Sequence, residues 1–321
     1  METCWNQGSS CRNRGHLEVR DLTFKILICD KIADEGIRLM EEKGYEITKA
    51  WDMSKTKLPE IIGEYDVLIV RSATKVKADL MAQAKKLRVI GRAGEGLDNI
   101  DLKKAKELDI AVVNTPHVSY MSVAELTIGH LLALARGIVE GTLSLREGKW
   151  AKDKLMGVEV NGKTLGVIGC GYIGKTVERL AVSLGMKVLV VEECVFDRFI
   201  PLDEMLPVAD FLTIHVPLTL HTRYMLSTKE FNMMKDGVMI IDCSRGGVVD
   251  QEALYQALVS GKVKAAAVDV FEEEPPKNSK LLTLKNVIAT PHIGAQTQEA
   301  QLKASIQIAK KVIEVLEKSA S

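Results

Sequence analysis

The sequence predicts an α/β fold of two doubly wound parallel sheets, and three features predict it. Short apolar runs alternate with helical stretches in a first series that starts at Lys25 and ends near residue 117. A second such series runs from Thr164 to Thr290. A Gly-x-Gly-x-x-Gly turn separates the first apolar run of the second series from its first helical stretch. Alternation of this kind builds βα units, because a parallel strand returns only through a crossover of a dozen or more residues.

Residues 1–24 are polar, mixed in charge and without the apolar core of a signal peptide, so a disordered extension is expected. A mitochondrial presequence is the weaker alternative, opposed by Glu2, Glu18 and Asp21. The first series offers Lys25-Ile-Leu-Ile-Cys29, Val67-Leu-Ile-Val70, Arg88-Val-Ile-Gly91 and Ala111-Val-Val-Asn114 as strands, with helices such as Ile32 to Lys43 and Leu102 to Leu108 between them. A longer helix is predicted from Ser122 to Arg136. Ser122 and Glu125 have capping-box spacing there, and the apolar content implies burial on several sides. The second series offers Leu165 to Ile168, Lys187 to Val191, Phe211 to His215, Val238 to Cys243, Ala266 to Val270 and Val287 to Thr290 as strands. One amphipathic helix, roughly Gln298 to Lys318, follows.

At 321 residues the chain is long enough for two cores, and 46% hydrophobic content with few aromatics suits an α/β protein. Forty-three basic residues balance forty-three acidic ones, so no basic stripe suggests nucleic acid and no charge excess suggests a membrane surface. Apolar runs such as Ile128 to Ala135, broken by His130, are far too short to span a bilayer. The six cysteines are scattered with no Cys-x-x-Cys, which favours a reducing, cytoplasmic setting with neither a structural disulfide nor a metal site.

Thr164-Leu-Gly-Val-Ile168 leads into Gly169-Cys-Gly171-Tyr-Ile-Gly174 and a helical stretch. Gly169 permits the tight turn, Gly171 lets a pyrophosphate approach the backbone, and Gly174 lets helix and strand pack closely. The helix start supplies free N–H groups and positive dipole to phosphates. The following strand ends at Glu192, some twenty residues on, where an acidic residue holds the adenosine ribose. A carboxylate there accepts from the 2′-hydroxyl and repels a 2′-phosphate, so NAD is favoured over NADP. Adjacent Glu193 leaves an ambiguity of one residue.

Three titratable residues sit in turns just after buried strands: Arg245 after Val238 to Ser244, Glu274 after Val268, and His292 after Val287 to Pro291. Ligands of open parallel sheets bind outside such carboxyl ends. A guanidinium can fork onto a substrate carboxylate, an imidazole can exchange a hydroxyl proton, and a carboxylate can orient that imidazole.

These residues together resemble the D-isomer-specific 2-hydroxyacid dehydrogenases, from about Lys25 to the last residue. The resemblance is carried by Val70-Arg-Ser-Ala-Thr-Lys-Val76, Gly91-Arg-Ala-Gly-Glu-Gly-Leu-Asp-Asn99, Trp150 through Gly162-Lys-Thr-Leu-Gly166, Cys243-Ser-Arg-Gly-Gly-Val-Val-Asp250, Asp269-Val-Phe-Glu-Glu-Glu-Pro275 and Pro291-His-Ile-Gly-Ala295. It implies a Rossmann NAD-binding domain, residues 118–294, inserted into a flavodoxin-like substrate domain of residues 25–117 that the helix of residues 295–321 rejoins. It also implies that Arg245 binds the substrate carboxylate, that His292 is the acid/base and that Glu274 is its partner. Asp269 would meet the nicotinamide amide, with Cys243, Ser244, Val216, Gly294 and Ala295 along the cofactor and Tyr172 and Ile173 along its pyrophosphate. Arg71, Arg92, Glu95 and Gly96 would face the substrate, a small 2-hydroxy or 2-keto acid carrying a phosphate.

The implied reaction is oxidation of 3-phosphoglycerate, in serine biosynthesis, by a homodimer or larger homo-oligomer joined near the Ser122–Arg136 helix. No C-terminal regulatory domain is expected after the final helix. A glyoxylate or hydroxypyruvate reductase is the near alternative, and a catalytically impaired, nicotinamide-sensing interaction protein the distant one. Arg71 and Arg92 also have a plain reading as surface arginines, and His117, His130, His215 and His221 as structural or exposed histidines. Three departures stand out. The segment from Glu192 to Pro201 is short enough to lose the helix between the second and third strands of the cofactor domain. Glu192 stands in place of the usual Asp. Glu95 puts a carboxylate beside an anionic substrate.

Overall fold

The computed structural model describes residues 23–191 and 200–320. Its first sheet is built from β1 (Lys25–Ile28), α1 (Asp34–Glu41), β2 (Glu46–Lys49), α2 (Leu58–Ile61), β3 (Val67–Val70), α3 (Ala78–Gln83), β4 (Val89–Arg92), α4 (Leu102–Glu107) and β5 (Ala111–Asn114). Two helices follow, α5 (Tyr120–Arg136) and α6 (Ile138–Arg146). The second sheet comprises β6 (Thr164–Ile168), α7 (Tyr172–Ser183), β7 (Lys187–Val191), α8 (Leu202–Met205), β8 (Phe211–Ile214), α9 (Thr228–Met233), β9 (Val238–Asp242), α10 (Gln251–Val259), β10 (Val263–Val268) and β11 (Val287–Ala289), before α11 (Gln298–Ala320).

Both sheets are parallel throughout, in the orders β2-β1-β3-β4-β5 and β11-β10-β9-β8-β6-β7. The first is the flavodoxin-like order, and the second reverses direction between β6 and β8, which opens a crevice at its carboxyl edge. Neighbouring residues of each strand point to opposite faces. Ile26, Ile28, Val67, Ile69 and Val89 therefore pack against α1 and α11, while Leu27, Leu68, Val70 and Ile90 pack on the other side against α3 and α4. In the second sheet Leu165, Val167, Phe211 and Ile241 share a core with α5 and α7, and Ile168, Leu212, Ile240 and Val268 share one with α9 and α10.

The last helix crosses back to the first sheet, where Ala304, Ile308, Val312 and Leu316 are buried beside α1 and β4. Ser305 Oγ caps that contact by donating to Ala33 O at 2.6 Å. Among the described residues no single helix is long and apolar enough to cross a membrane.

Local expectations are corrected at two places, and a third lies outside the described residues. Helix α5 begins at Tyr120, two residues before the predicted start, and the Ser122–Glu125 capping box does not form. Ser122 lies inside the first turn, and its hydroxyl instead pairs with Thr297 Oγ1 at 2.8 Å. Strand β2 was not predicted, since its Glu-Ile-Thr-Lys sequence is a half-exposed edge with no apolar run. The shortened segment after β7 lies almost wholly outside the described residues. The described chain resumes along the open side of β7, with Ile200 N–H donating to Val190 O at 3.1 Å, and continues into α8.

Candidate active site

Strand β6 ends in a turn whose Gly169 has a φ of 98°, and α7 begins at Tyr172 with no side chain capping its first N–H groups. A Cβ added at Gly171 would meet nothing within 4 Å, whereas one at Gly174 would lie 1.9 Å from Gly169 O. The turn is thus closed behind and open in front, with uncapped donors facing the opening, and it fits a pyrophosphate. Glu192 and Glu193, the ribose candidates, lie outside the described residues.

Glu274 and His292 meet across two loops, with His292 Nδ1 at 2.9 and 3.0 Å from the two carboxylate oxygens. An ionised carboxylate only accepts, so Nδ1 carries the hydrogen and Nε2 is the nitrogen left to the cleft. Burial alone would raise the pKa of Glu274. The His292 contact, the Phe271 N–H and the charge of Arg245 outweigh it and hold the carboxyl below its ordinary value. His292 itself sits in the left-handed region at φ 52°. Asp269, 1% exposed, pins its turn: it accepts from Thr290 Oγ1 at 2.6 Å and from the N–H groups of Ile293 and Gly294, both at 2.8 Å.

Arg245 is held by Asp98, with Nε to Oδ2 at 3.2 Å, and by Ser244 O, which accepts from Nη1 at 2.7 Å. Its Nη2 lies over Gly96, where an added Cβ would come within 2.6 Å. The turn beneath it is fixed by buried Asp242, which accepts from both the N–H and the hydroxyl of Ser244. Burial pushes Asp242 up to about 6 despite those bonds.

From the first sheet, Arg71 and Arg92 enter the same cleft of ≈ 470 Å³. Asp30 organises the Arg71 loop, accepting from Arg71 N–H at 2.7 Å and from Thr74 N–H at 3.1 Å and Oγ1 at 2.7 Å. The Arg71 guanidinium donates to Gln296 Oε1 at 2.9 Å. Arg92 is mostly buried, its Nε has no partner among the described residues, and burial together with the charge of Arg245 lowers its pKa to about 10. It stays charged at neutral pH. Glu95 lines the same space, and its Oε1 is 3.7 Å from His117 Nδ1.

The cleft gathers Arg71, Arg92, Glu95, Gly96, Gly171, Tyr172, Ile173, Val216, Cys243, Ser244, Arg245, Asp269, His292, Gly294 and Ala295. Gly169 and Gly174, in the same turn as Gly171, do not line it, and Glu274 lies behind His292. Sequence reading missed four participants. Asp98 holds Arg245 across the cleft, and Gln296 holds Arg71. His117 stacks on Tyr172 with ring centroids 4.1 Å apart. His215 lies within the cleft wall, bonded to Thr213 at 2.9 Å, and burial lowers its pKa to about 3. Asp98 had a signal, since it belongs to the Gly91–Asn99 motif, and His215 stands at the carboxyl end of a predicted strand near the cofactor loop; Gln296 and His117 had none beyond residue type.

The family described as "D-isomer specific 2-hydroxyacid dehydrogenase, NAD binding domain" matches residues 128–294. The chain belongs to this family. That match makes NAD the cofactor. A D-3-phosphoglycerate dehydrogenase of Methanocaldococcus jannaschii is 47% identical over 301 residues, covering 91% of this chain and 57% of that one. A hydroxypyruvate reductase of Thermotoga maritima is 47% identical over 302 residues, covering 91% of this chain and 98% of that one. The chain therefore spans little more than half the length of the first relative and nearly all of the second. The D-lactate dehydrogenase of Aquifex aeolicus, solved with NAD and lactic acid, superposes with a TM-score of 0.78 at 27% identity, covering 92% of this chain and 96% of that one.

Proposed function

We propose that the protein oxidises 3-phosphoglycerate to 3-phosphohydroxypyruvate, and that Arg245, His292 and Glu274 carry the reaction. The observation that supports this reading best is the convergence of Arg71, Arg92 and Arg245 on one cleft beside the His292–Glu274 pair. Arg245 holds the C1 carboxylate and, with Gly96 beneath it, fixes C2 in the cleft. His292 Nε2 takes the C2 hydroxyl proton, and Glu274 stabilises the imidazolium that results. Bound NAD would supply the acceptor for the hydride of C2. Arg71 and Arg92 receive the phosphate, whose charge of about −1.5 to −2 near neutral pH calls for more than one cation.

A hydroxypyruvate reductase is the second reading, favoured by the full-length match to the Thermotoga maritima enzyme and by Glu95 at the cleft wall. The double variant Arg71→Ala with Arg92→Ala separates the two. A charged hydrogen bond contributes about 1.5–3 kcal/mol, so losing two raises KM for phosphohydroxypyruvate roughly 10²–10⁴-fold. KM for unphosphorylated hydroxypyruvate should change far less. Equal effects on both substrates would favour the reductase.

On the same reading, residues 25–117 and 295–321 form the substrate domain and 118–294 the cofactor domain. The protein pairs as a homodimer through the apolar surface of α6 and the loop beyond it. Leu143, Leu145, Trp150 and Met156 are each more than half exposed there, whereas α5 is largely packed against its own domain. Sedimentation equilibrium should give twice the chain mass, and Trp150→Glu should shift it to monomer. A monomeric wild-type protein would exclude this surface as a dimer interface.

A further inference from the structure

Beneath the His292 turn lies a buried histidine that proton transfer does not use. His130, on α5 and 5% exposed, places Nε2 3.2 Å from Thr290 Oγ1. Thr290 Oγ1 lies 2.6 Å from Asp269 Oδ1, and the two Asp269 oxygens take the N–H groups of Ile293 and Gly294. The direction of each bond follows from the atoms. A carboxylate only accepts, so the single hydroxyl hydrogen of Thr290 goes to Asp269. Thr290 oxygen is then an acceptor toward His130, which must carry its hydrogen on Nε2. Burial holds the pKa of His130 below the ordinary value, against the pull of the Asp269 charge.

The chain of donors ends on backbone under constraint. His292 occupies a φ of 52°, a region that few residues other than glycine enter. Its N–H donates to Thr290 O at 3.0 Å, and the next two N–H groups are the ones held by Asp269. Thr290 thus grips the turn twice, through its carbonyl and through the carboxylate its hydroxyl supports.

We propose that His130 and Thr290 are positioning residues for His292, forming with Asp269 a buried donor chain that locks the left-handed turn presenting the imidazole to substrate. This rests on the reading of His292 as the acid/base. Small displacements of a reacting group cost up to about 10²-fold in rate.

The test pairs disruptive with conservative variants: Thr290→Val against Thr290→Ser, and His130→Leu against His130→Gln. Amide hydrogen exchange at Ile293 and Gly294 is followed in the protein without substrate or NAD, and kcat and KM are measured separately. Thr290→Val and His130→Leu should speed exchange at both amides and lower kcat roughly 10- to 100-fold, with KM within about threefold of wild type. Ser and Gln, which keep the hydroxyl and the N–H, should restore both readouts. The double variant of Val and Leu should be no slower than the slower single, because both break one chain. Unchanged exchange in Thr290→Val would overturn the proposal. So would Ser and Gln variants as impaired as Val and Leu, or single effects that multiply in the double variant. Exchange is read without turnover, so it judges the donor chain even if His292→Asn were to show that another group moves the proton.

Discussion

Glu274 ties His292 to a charge whose presence depends on pH. Its pKa is depressed in the folded protein, so the stability it contributes is present above the ordinary value of 4.5 and is lost as pH falls through the lower folded value. Glu274→Gln keeps a hydrogen-bond acceptor but removes the charge. The expected outcome is a kcat lower by about 10²-fold at neutral pH, together with a smaller loss of stability than wild type below pH 4.5 in denaturant titrations. A variant as active as wild type would leave His292 without a charged partner in the mechanism. At this scale the sequence was legible for residues whose type and turn position coincide, as with Arg245, Glu274 and His292. It was opaque for Asp98 on Arg245, Gln296 on Arg71 and Thr290 on His130, because each pair is separated by more than a hundred residues and no local pattern links them.

Strands were the most legible elements because a parallel strand buried on both faces is an unbroken apolar run, as Val67–Val70 is. Where burial is one-sided or shallow the signal fades: β2 is an exposed edge and α6 has no buried residue. The α5 start was misjudged because a serine three residues before a glutamate matches a capping box whether or not it heads the helix, and here Ser122 is claimed by Thr297. The turn into α7 was legible in full, since its glycines answer to local geometry. Gly174→Ala therefore makes a sharp prediction. Its Cβ would stand 1.9 Å from Gly169 O, so the helix must move off the strand. Such overpacking costs about 1–3 kcal/mol, and NAD titration should show weakened binding alongside the lowered denaturation midpoint. Unchanged affinity would mean that close packing here does not shape the phosphate site.

At the scale of the molecule, two sheets present their carboxyl edges to one cleft, and neither edge holds the whole site. Arg71 and Arg92 come from the first sheet, whereas Arg245, Glu274 and His292 come from the second. The Arg245–Asp98 bond joins the two edges across the cleft, and Arg71–Gln296 ties the first sheet to the chain leading into α11. Two series of strands were visible in the residue pattern, whereas the return of α11 to the first sheet was expected only from the family resemblance, because an amphipathic helix does not name the surface it covers. The central claim is that this convergence serves hydride transfer with His292 as the proton carrier, and one substitution tests it most directly. His292→Asn keeps a polar group near the Nδ1 position but has nothing in place of Nε2 and cannot take up a proton near neutral pH. Turnover of phosphoglycerate with NAD, measured across pH beside direct NAD titration, should fall by about 10²–10⁴-fold while NAD affinity stays close to wild type. A variant that keeps more than about a tenth of the wild-type rate at every pH would contradict the account, since a positioned acid/base is worth at least about 10²-fold.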